Sequence, residues 1–204
     1  MAGMPHENHG DSRIDHRLIV EMVKPGSTVL DLGCGTGELL SLLVSRRDIK
    51  GQGIEIDDRA IFACVAKGLS VFHDDIDSGL SEYGDRFFDY VIMNQSFQQV
   101  KNPDIVLREA LRVGEKVIVG IPNFAHIVSR FQICLKGRAP VTPALPHEWY
   151  DTPNLHFLSI DDFIRYCRKR VIRIEDARYA GARRQVALFP NLLARTAVFV
   201  LGKS

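Results

Sequence analysis

The 204 residues suffice for one domain with its own hydrophobic core, and 46% hydrophobic and 25% charged residues are typical of a soluble globular protein. The net charge of +1 argues against a general attraction to nucleic acid or to a membrane surface. No apolar run approaches the length of a membrane span and the first residues do not resemble a signal sequence, so we expect a cytoplasmic protein. The four cysteines contain no C-x-x-C pair, which predicts reduced thiols rather than disulfides or a zinc site.

The polar residues 1–12 include two glycines and a proline and are expected to form a flexible leader, followed by a single domain over 13–204. Its first element is a helix from Arg13 to Val23, because apolar residues recur at helical spacing up to a Pro-Gly pair. Three polar residues of this helix could reach the ligand site described next, but solvated positions are the favoured interpretation: Arg13, Asp15 and His16.

An apolar strand, Val29–Leu32, is followed by glycines at 33, 35 and 37 and then by a helix from Glu38 to Val44. Such a turn offers bare backbone N–H groups beside the positive end of a helix dipole, which suits an anionic or nucleotide-like ligand. The glycines are spaced G-x-G-x-G rather than G-x-G-x-x-G, and Asp31 precedes them. A carboxylate there would repel a pyrophosphate but suits a ligand that carries an ammonium group.

This stretch, D-L-G-C-G-T-G, resembles motif I of the class I S-adenosylmethionine-dependent methyltransferases. The resemblance implies that S-adenosylmethionine, or its product S-adenosylhomocysteine, is the cofactor. It also implies that the loop passes under the amino-acid part of that cofactor. The residues assigned to this contact are Asp31, Gly33, Cys34, Gly35 and Gly37.

The second strand, 51–57, contains Glu55 about twenty residues after Gly35, where a nucleotide-binding βαβ unit has an acid that contacts the ribose. A carboxylate can accept two hydrogen bonds from a cis-diol, so Glu55 and its neighbour Ile56 are assigned to the cofactor site. The alternative is a solvated acid at a strand end. Asp57 or Asp58 is predicted to cap the next helix.

A short third strand ends at Phe72. Methyltransferases of this type have an acid after this strand that accepts the adenine amino group, with an apolar residue against the ring. Asp75 and Ile76 fit best, and Asp74 is the alternative. The acids near His73 could suggest a metal site, but no partner cluster exists elsewhere, so no metal is assigned.

The fourth strand, 87–95, brings Asn94 and Gln95 to the carboxyl edge of the sheet, where α/β proteins bind ligands. Many small-molecule methyltransferases continue here with an L-E-H-V-like stretch. The chain reads Phe97-Gln98-Gln99-Val100 and lacks that histidine, so no catalytic residue is assigned.

A helix from Pro103 to Val113 and a fifth strand, 115–121, continue the alternation, and Val171–Ile174 and Thr196–Leu201 are the predicted last strands. The predicted fold is α/β with a doubly wound, Rossmann-like, mostly parallel sheet. The methyltransferase resemblance implies seven strands with the last one antiparallel.

Residues 122–158 form a proline- and aromatic-rich insert, with a helix predicted up to Leu135. The insert is either a lid over the cofactor or a docking surface for another protein. His126, His147 and His156 could be acid–base groups, although packing histidines are commoner. Trp149 and Tyr150 could form the wall of a substrate site or anchor the insert.

Three stretches of the insert, P-N-F, G-R-A-P-V-T and L-P-H-E-W-Y-D-T-P-N-L-H, resemble the methionine-biosynthesis protein MetW family, and the likeness extends from Arg13 to Leu201. The resemblance implies a methyltransferase-like protein that acts beside a homoserine O-acetyltransferase or O-succinyltransferase. In some members it is needed for that partner's activity.

Two functions remain open from the sequence: methyl transfer to a small acceptor, or cofactor binding by a subunit that modulates the acyltransferase. We favour the second, because the histidine after strand four is missing and the aromatic insert is long. A nicotinamide dehydrogenase is disfavoured by the glycine spacing and by Asp31.

Overall fold

The computed structural model describes residues 13–203, so the leader predicted for residues 1–12 lies outside the described residues. Seven strands form one sheet with helices on both faces. The strands are β1 (Thr28–Leu32), β2 (Lys50–Glu55), β3 (Ser70–His73), β4 (Phe88–Asn94), β5 (Gly114–Pro122), β6 (Arg173–Ala180) and β7 (Thr196–Gly202). The helices are α1 (Ile14–Met22), α2 (Glu38–Arg47), α3 (Asp58–Ala66), α4 (Pro103–Val113), α5 (Ile127–Lys136), α6 (Ile160–Lys169) and the single turn α7 (Pro190–Leu193).

The strand order is β3-β2-β1-β4-β5-β7-β6, and β1 to β5 pair in parallel. β7 is antiparallel to both β5 and β6, so it is the only reversed strand of the sheet among the described residues. The predicted doubly wound, mostly parallel sheet with an antiparallel last strand is confirmed. Because the order reverses between β1 and β4, a crevice is expected at their carboxyl ends.

The two faces of the sheet carry separate hydrophobic clusters, and neighbouring strand residues alternate between them. Leu30 and Leu32 pack in one cluster, with residues of α4 and α6. Val29, between them, packs in the other cluster, with residues of α1 and α2. This double cover explains why the central strands are apolar throughout.

The bounds predicted for the sixth strand are wrong: β6 runs from Arg173 to Ala180 rather than over Val171–Ile174. Val171 has φ 56° and belongs to the turn that follows α6. Within the described part of the chain β6 is an edge strand that pairs only with β7, and its exposed positions carry charged residues. The apolar residues on which the prediction rested therefore lie just before β6 and at its start, and they do not show how far the strand extends.

No helix among residues 13–203 is both long enough and apolar enough to cross a membrane.

Candidate functional site

A cavity of about 460 Å³, here called the crevice, opens at the carboxyl ends of β1, β2 and β4. Its volume lies within the range of small-molecule sites. It is lined by Arg13, His16, Asp31, Gly33, Cys34, Gly35, Thr36, Glu38, Leu39, Ile54, Glu55, Ile56, Asp74, Asp75, Ile76, Asn94, Gln95, Ser96 and Gln99. Ten of the eleven residues assigned to the cofactor from the sequence are among them. Gly37 is the exception.

The glycine turn joins β1 to α2 through left-handed backbone angles. Gly35 has φ 54°, and a Cβ built on it would meet no protein atom within 4 Å, so a larger side chain there would occupy open space beside the crevice. Gly37 has a different requirement: its Cβ would lie 2.5 Å from Leu69 Cδ1 and 2.8 Å from Cys64 Sγ. Gly35 therefore leaves room for a ligand, whereas Gly37 allows α2 to begin close to α3.

The Asp31 carboxylate lies under the glycine turn and is buried. Burial, and then the neighbouring Glu55 carboxylate, raise the pKa of Asp31 to about 7. No described residue forms a hydrogen bond or ion pair with its side chain. A cationic group in the crevice would stabilise the ionised form, so the site is chemically suited to an ammonium.

Glu55 links the tip of β2 to the glycine turn. Its Oε2 accepts a hydrogen bond from the Gly35 N–H at 2.8 Å, and its Oε1 accepts from the N–H groups of Ile56 and Asp57 at 2.8 and 3.0 Å. The carboxylate thus lines the crevice and also fixes the loop beneath it. The predicted cap of α3 is Asp57, whose side chain accepts from two backbone N–H groups of the first helical turn.

The acids after β3 lie at the far end of the crevice together with the half-buried Ile76. Asp75 Oδ1 accepts from the Asp77 N–H at 2.9 Å and caps a short 3-10 turn. Asp74 Oδ1 accepts from the Asp75 N–H and from the Ser78 hydroxyl. Both acids line the crevice, so this geometry does not choose between them.

The end of β4 carries two amides with unpartnered atoms. Asn94 Nδ2 donates to Asp15 Oδ2 at 3.1 Å, and its buried Oδ1 has no hydrogen-bond partner within the described residues. Gln95 has φ 64°, a strained angle for a non-glycine residue, and its buried Nε2 also lacks a partner there. Orphaned polar atoms beside a cavity indicate groups available to a ligand.

The solvated positions expected for Asp15 and His16 are wrong, since both side chains are buried. Arg13 pairs with Asp15 at 2.7 Å, and Arg13 and His16 line the crevice. Burial works against ionisation of Asp15, but Arg13 and the other neighbours hold its pKa below the usual value, whereas burial lowers the pKa of His16. The crevice therefore has a cationic group and a neutral imidazole on the α1 side, contributed by residues that helical periodicity had assigned to solvent.

The candidate substrate or partner residues of the insert do not line the crevice. His126 caps α5 by accepting from the Val128 N–H, and a ring nitrogen of His156 is 3.0 Å from the Val100 carbonyl oxygen. Trp149 and Tyr150 are 74% and 71% exposed and pack edge to face against each other. Contacts with backbone groups therefore hold both histidines in place. They do not account for the exposure of the two aromatic rings.

A second cavity, of about 430 Å³, adjoins the crevice and shares Arg13, Gln95 and Gln99 with it. Its other walls come from residues 143–154 of the insert and from the facing ends of β6 and β7. The insert therefore covers the carboxyl edge beside the crevice rather than the crevice itself. Among residues 13–203 no group of three or more His, Cys, Asp or Glu could hold a metal ion.

The fold and the crevice define a protein of the class I methyltransferase fold. Solved methyltransferase structures have a similar fold. A SAM-dependent methyltransferase from Thermotoga maritima superposes with a TM-score of 0.66 over 94% of this chain and 88% of its own, at 19% identity. A TehB-like SAM-dependent methyltransferase from Corynebacterium glutamicum gives 0.62 over 96% and 90%, at 15% identity.

The sequence profile of the methionine biosynthesis protein MetW family matches residues 13–201. The bifunctional methionine biosynthesis protein MetXA/MetW of Rhodopirellula baltica is 34% identical over 93% of this chain. The chain belongs to the MetW family, as the sequence resemblance had implied. It spans about a third (33%) of the length of that bifunctional relative.

Proposed function

We propose that this protein binds S-adenosylmethionine, or S-adenosylhomocysteine, in the crevice and modulates a homoserine O-acyltransferase to which it is bound. The observation that carries the proposal is the buried Asp31 carboxylate under an open glycine turn, with further carboxylates at the tips of β2 and β3. That set of hydrogen-bond acceptors suits a ligand with an ammonium at one end, a diol in the middle and an amino-substituted base at the other.

In this assignment Asp31 pairs with the ligand ammonium and the Gly33–Gly35 backbone lies under the amino-acid part. Glu55 accepts from the ribose hydroxyls, and Asp75 with Ile76 contacts the adenine. Asn94 Oδ1 and Gln95 Nε2, which have no partner among the described residues, are available in the crevice, and Gln95 also lines the second cavity. When bound, the cofactor supplies an electrophilic methyl group on a sulfonium.

Glu55 has two roles in this assignment: it contacts the ribose, and its Oε2 accepts a hydrogen bond from the Gly35 N–H. A carboxylate oxygen has a second lone pair, so one group can fix the loop and still accept from a hydroxyl. Ligand contact and loop position are thereby coupled. Such coupling is what a subunit that reports cofactor binding to a partner requires.

The partner is proposed from the Rhodopirellula baltica relative, whose name joins MetXA and MetW in one bifunctional protein. A fusion of this kind supports a working association between a homoserine acyltransferase and a MetW domain. Large exposed apolar side chains mark protein contact sites, and they are concentrated on α5 and the insert. We define the docking surface as Phe131, Leu135, Trp149, Tyr150 and Phe157, all of which are exposed.

The direct test has two parts. Isothermal titration with S-adenosylmethionine and with S-adenosylhomocysteine should give one saturable site, and the acyltransferase co-expressed with this protein should co-purify with it. The activity of the purified complex should then change when the cofactor is added. Absence of binding to either compound would overturn the cofactor assignment, whereas an acyltransferase that purifies alone would overturn the partner assignment.

Methyl transfer to a small acceptor is the second candidate, and the second cavity favours it. That cavity adjoins the crevice through Arg13, Gln95 and Gln99, so a bound acceptor would lie next to the cofactor. Positioning alone can supply much of the acceleration of an in-line displacement. Production of S-adenosylhomocysteine that depends on an added metabolite would establish this candidate.

A further inference from the structure

The second cavity contains a cation that has no partner among residues 13–203. Arg195, at the start of β7, lines this cavity and a small neighbouring one. Its backbone N–H donates to the Ala180 carbonyl, but its guanidinium makes no hydrogen bond or ion pair with any described residue. The guanidinium is close enough to His126 to lower the pKa of that imidazole further, after burial. A half-buried arginine without a carboxylate is suited to an external anion.

Gln98 provides an independent indication of a ligand. Its side chain is only 3% exposed and lines the second cavity, yet its buried Oε1 has no hydrogen-bond partner among the described residues. The amide orientation is fixed because Nε2 donates to the Gln95 carbonyl at 2.7 Å, and a flipped amide would set two oxygens against each other. A buried acceptor without a donor is costly, so a ligand N–H or O–H would relieve it.

The remaining polar groups of this cavity define the ligand further. Gln95 Nε2 is a second orphaned buried atom, and it is a donor. Arg13 and Asp15 neutralise each other as an ion pair, so Arg195 leaves the cavity with an excess positive charge even when His147 is neutral. Among the described residues, the Arg195 guanidinium, the buried Gln95 Nε2 donor and the buried Gln98 Oε1 acceptor have no partner, which matches a carboxylate next to a hydrogen-bond donor.

We propose that the second cavity binds a small carboxylic acid with an amino or hydroxyl group. Arg195 contacts the carboxylate, and Gln98 Oε1 accepts a hydrogen bond from the amino or hydroxyl group. Because the cavity shares Arg13, Gln95 and Gln99 with the crevice, this ligand lies beside the cofactor site. The proposal concerns a second site and stands apart from the cofactor assignment.

The test uses protein-observed NMR on the full chain, with resonances of the Arg195 and Gln98 side chains as reporters. The probes are L-homoserine, L-methionine and 2-hydroxybutyrate, each paired with its methyl ester. We expect saturable shifts of both reporters with at least one acid, and about tenfold weaker binding of its ester, because the ester lacks the charge that Arg195 contacts. If no acid gives saturable shifts at millimolar concentration, or if ester and acid bind alike, the proposal is overturned.

Variants separate recognition by Arg195 from a general effect of charge. Arg195→Gln should weaken the acid about tenfold, and Arg195→Lys should recover part of the loss. Arg183→Gln removes one positive charge from an exposed position of the same β6–β7 connection and should bind as the wild type does. Equal loss in Arg183→Gln and Arg195→Gln would overturn the specific role of Arg195.

Cofactor binding is measured on the same samples by calorimetry. Arg195 does not line the crevice, so Arg195→Gln should keep the affinity for S-adenosylmethionine. If the wild type binds an acid but no S-adenosylmethionine, the proposed function fails and the second site stands. If it binds S-adenosylmethionine but no acid, the second site fails and the proposed cofactor binding stands.

Discussion

The two halves of the carboxyl edge differ in chemistry and in how the chain builds them. Over β1, β2 and β4 the strand tips carry the carboxylates of Asp31 and Glu55 and the amides of Asn94 and Gln95, and the Asp31 carboxylate is buried. Over β5, β7 and β6 the edge is covered by the insert, with exposed aromatic rings outside and, beneath, an Arg195 guanidinium that pairs with no described residue. The comparison teaches that one sheet edge can combine a cavity of acidic residues, which we propose holds a cationic nucleoside, with a cavity of opposite charge, which we propose holds a carboxylate.

The largest effect is expected at the glycine turn. It tests only the half of the carboxyl edge that lies over β1, β2 and β4. Gly35→Val should weaken S-adenosylmethionine binding about a hundredfold, because a branched side chain is strained at φ 54° and occupies the open space beside the crevice. Calorimetry measures the affinity. Gly26→Val is the matched control, since Gly26 has φ 74° and equally open surroundings but does not line the crevice. Equal losses in both variants would indicate strain rather than contact.

Glu55→Ala should reduce cofactor affinity by about 1.5–3 kcal/mol, or roughly ten- to a hundredfold, through lost charged hydrogen bonds. Thermal unfolding without ligand shows how much of the change comes from freeing the Gly35 N–H, to which Glu55 is bonded. Asp58→Ala removes a nearby carboxylate that does not line the crevice and should leave the affinity unchanged. An unchanged affinity in Glu55→Ala would exclude the ribose assignment.

The half of the edge over β5, β7 and β6 is tested by a double variant, Trp149→Ser with Tyr150→Ser. It should weaken co-purification of the acyltransferase about thirtyfold, because aromatic anchors contribute strongly to protein interfaces. The rings are largely exposed, so the fold and cofactor binding should persist. Phe62→Ser is the control, because Phe62 is 72% exposed on α3, near the opposite sheet edge. Loss of the complex only in Phe62→Ser would move the docking surface to that edge.

The smallest effect is a pH dependence of cofactor affinity, and it again concerns the half of the edge over β1, β2 and β4. Burial and then Glu55 raise the pKa of Asp31 to about 7, so the protonated form that cannot pair with an ammonium dominates below neutrality. Cofactor affinity should fall about tenfold from pH 8 to pH 6, accompanied by release of a proton on binding at neutral pH. Calorimetry in buffers of different ionisation enthalpy measures that proton.

Asp31→Asn is the matched variant, and it should bind more weakly with a flat pH profile in this range. Because the folded-state pKa of Asp31 is raised, the unliganded wild type loses stability as pH rises from about 4 to about 7. Asp31→Asn should therefore raise the unfolding midpoint at pH 8. A sloping profile in Asp31→Asn would assign the titration to another group.

The sequence predicts which strand tips meet at the crevice, because these tips are defined by short local patterns. Asp31, Gly35 and Glu55 lie at fixed offsets from apolar strands, and parallel strands bring those tips together. The α1 residues are a different case. Helical periodicity identifies the apolar stripe of α1 but does not tell which of its polar residues faces the sheet edge, so the burial of Asp15 and His16 was missed.

The second cavity could not be found in the sequence, for a related reason. Its walls come from the start of α1, the turn after β4, the insert and the β6–β7 connection, which are distant in the chain. Arg195 lies in no recognisable motif, and Gln98 belongs to a stretch that departs from the methyltransferase pattern. Only the fold reveals that, among the described residues, Arg195 has no counterion and Gln98 Oε1 has no hydrogen-bond partner.

The position of β7 between β5 and β6 has a consequence for biosynthesis. β2 to β5 each pair with a strand already made, so β1 to β5 can assemble as soon as residue 122 has left the ribosome. Among the strands of residues 13–203, β6 has no neighbour in the sheet other than β7, so residues 173–180 must wait unpaired until 196–202 emerge. Nascent chains of increasing length should therefore acquire the crevice first and the second cavity in a later, separate step.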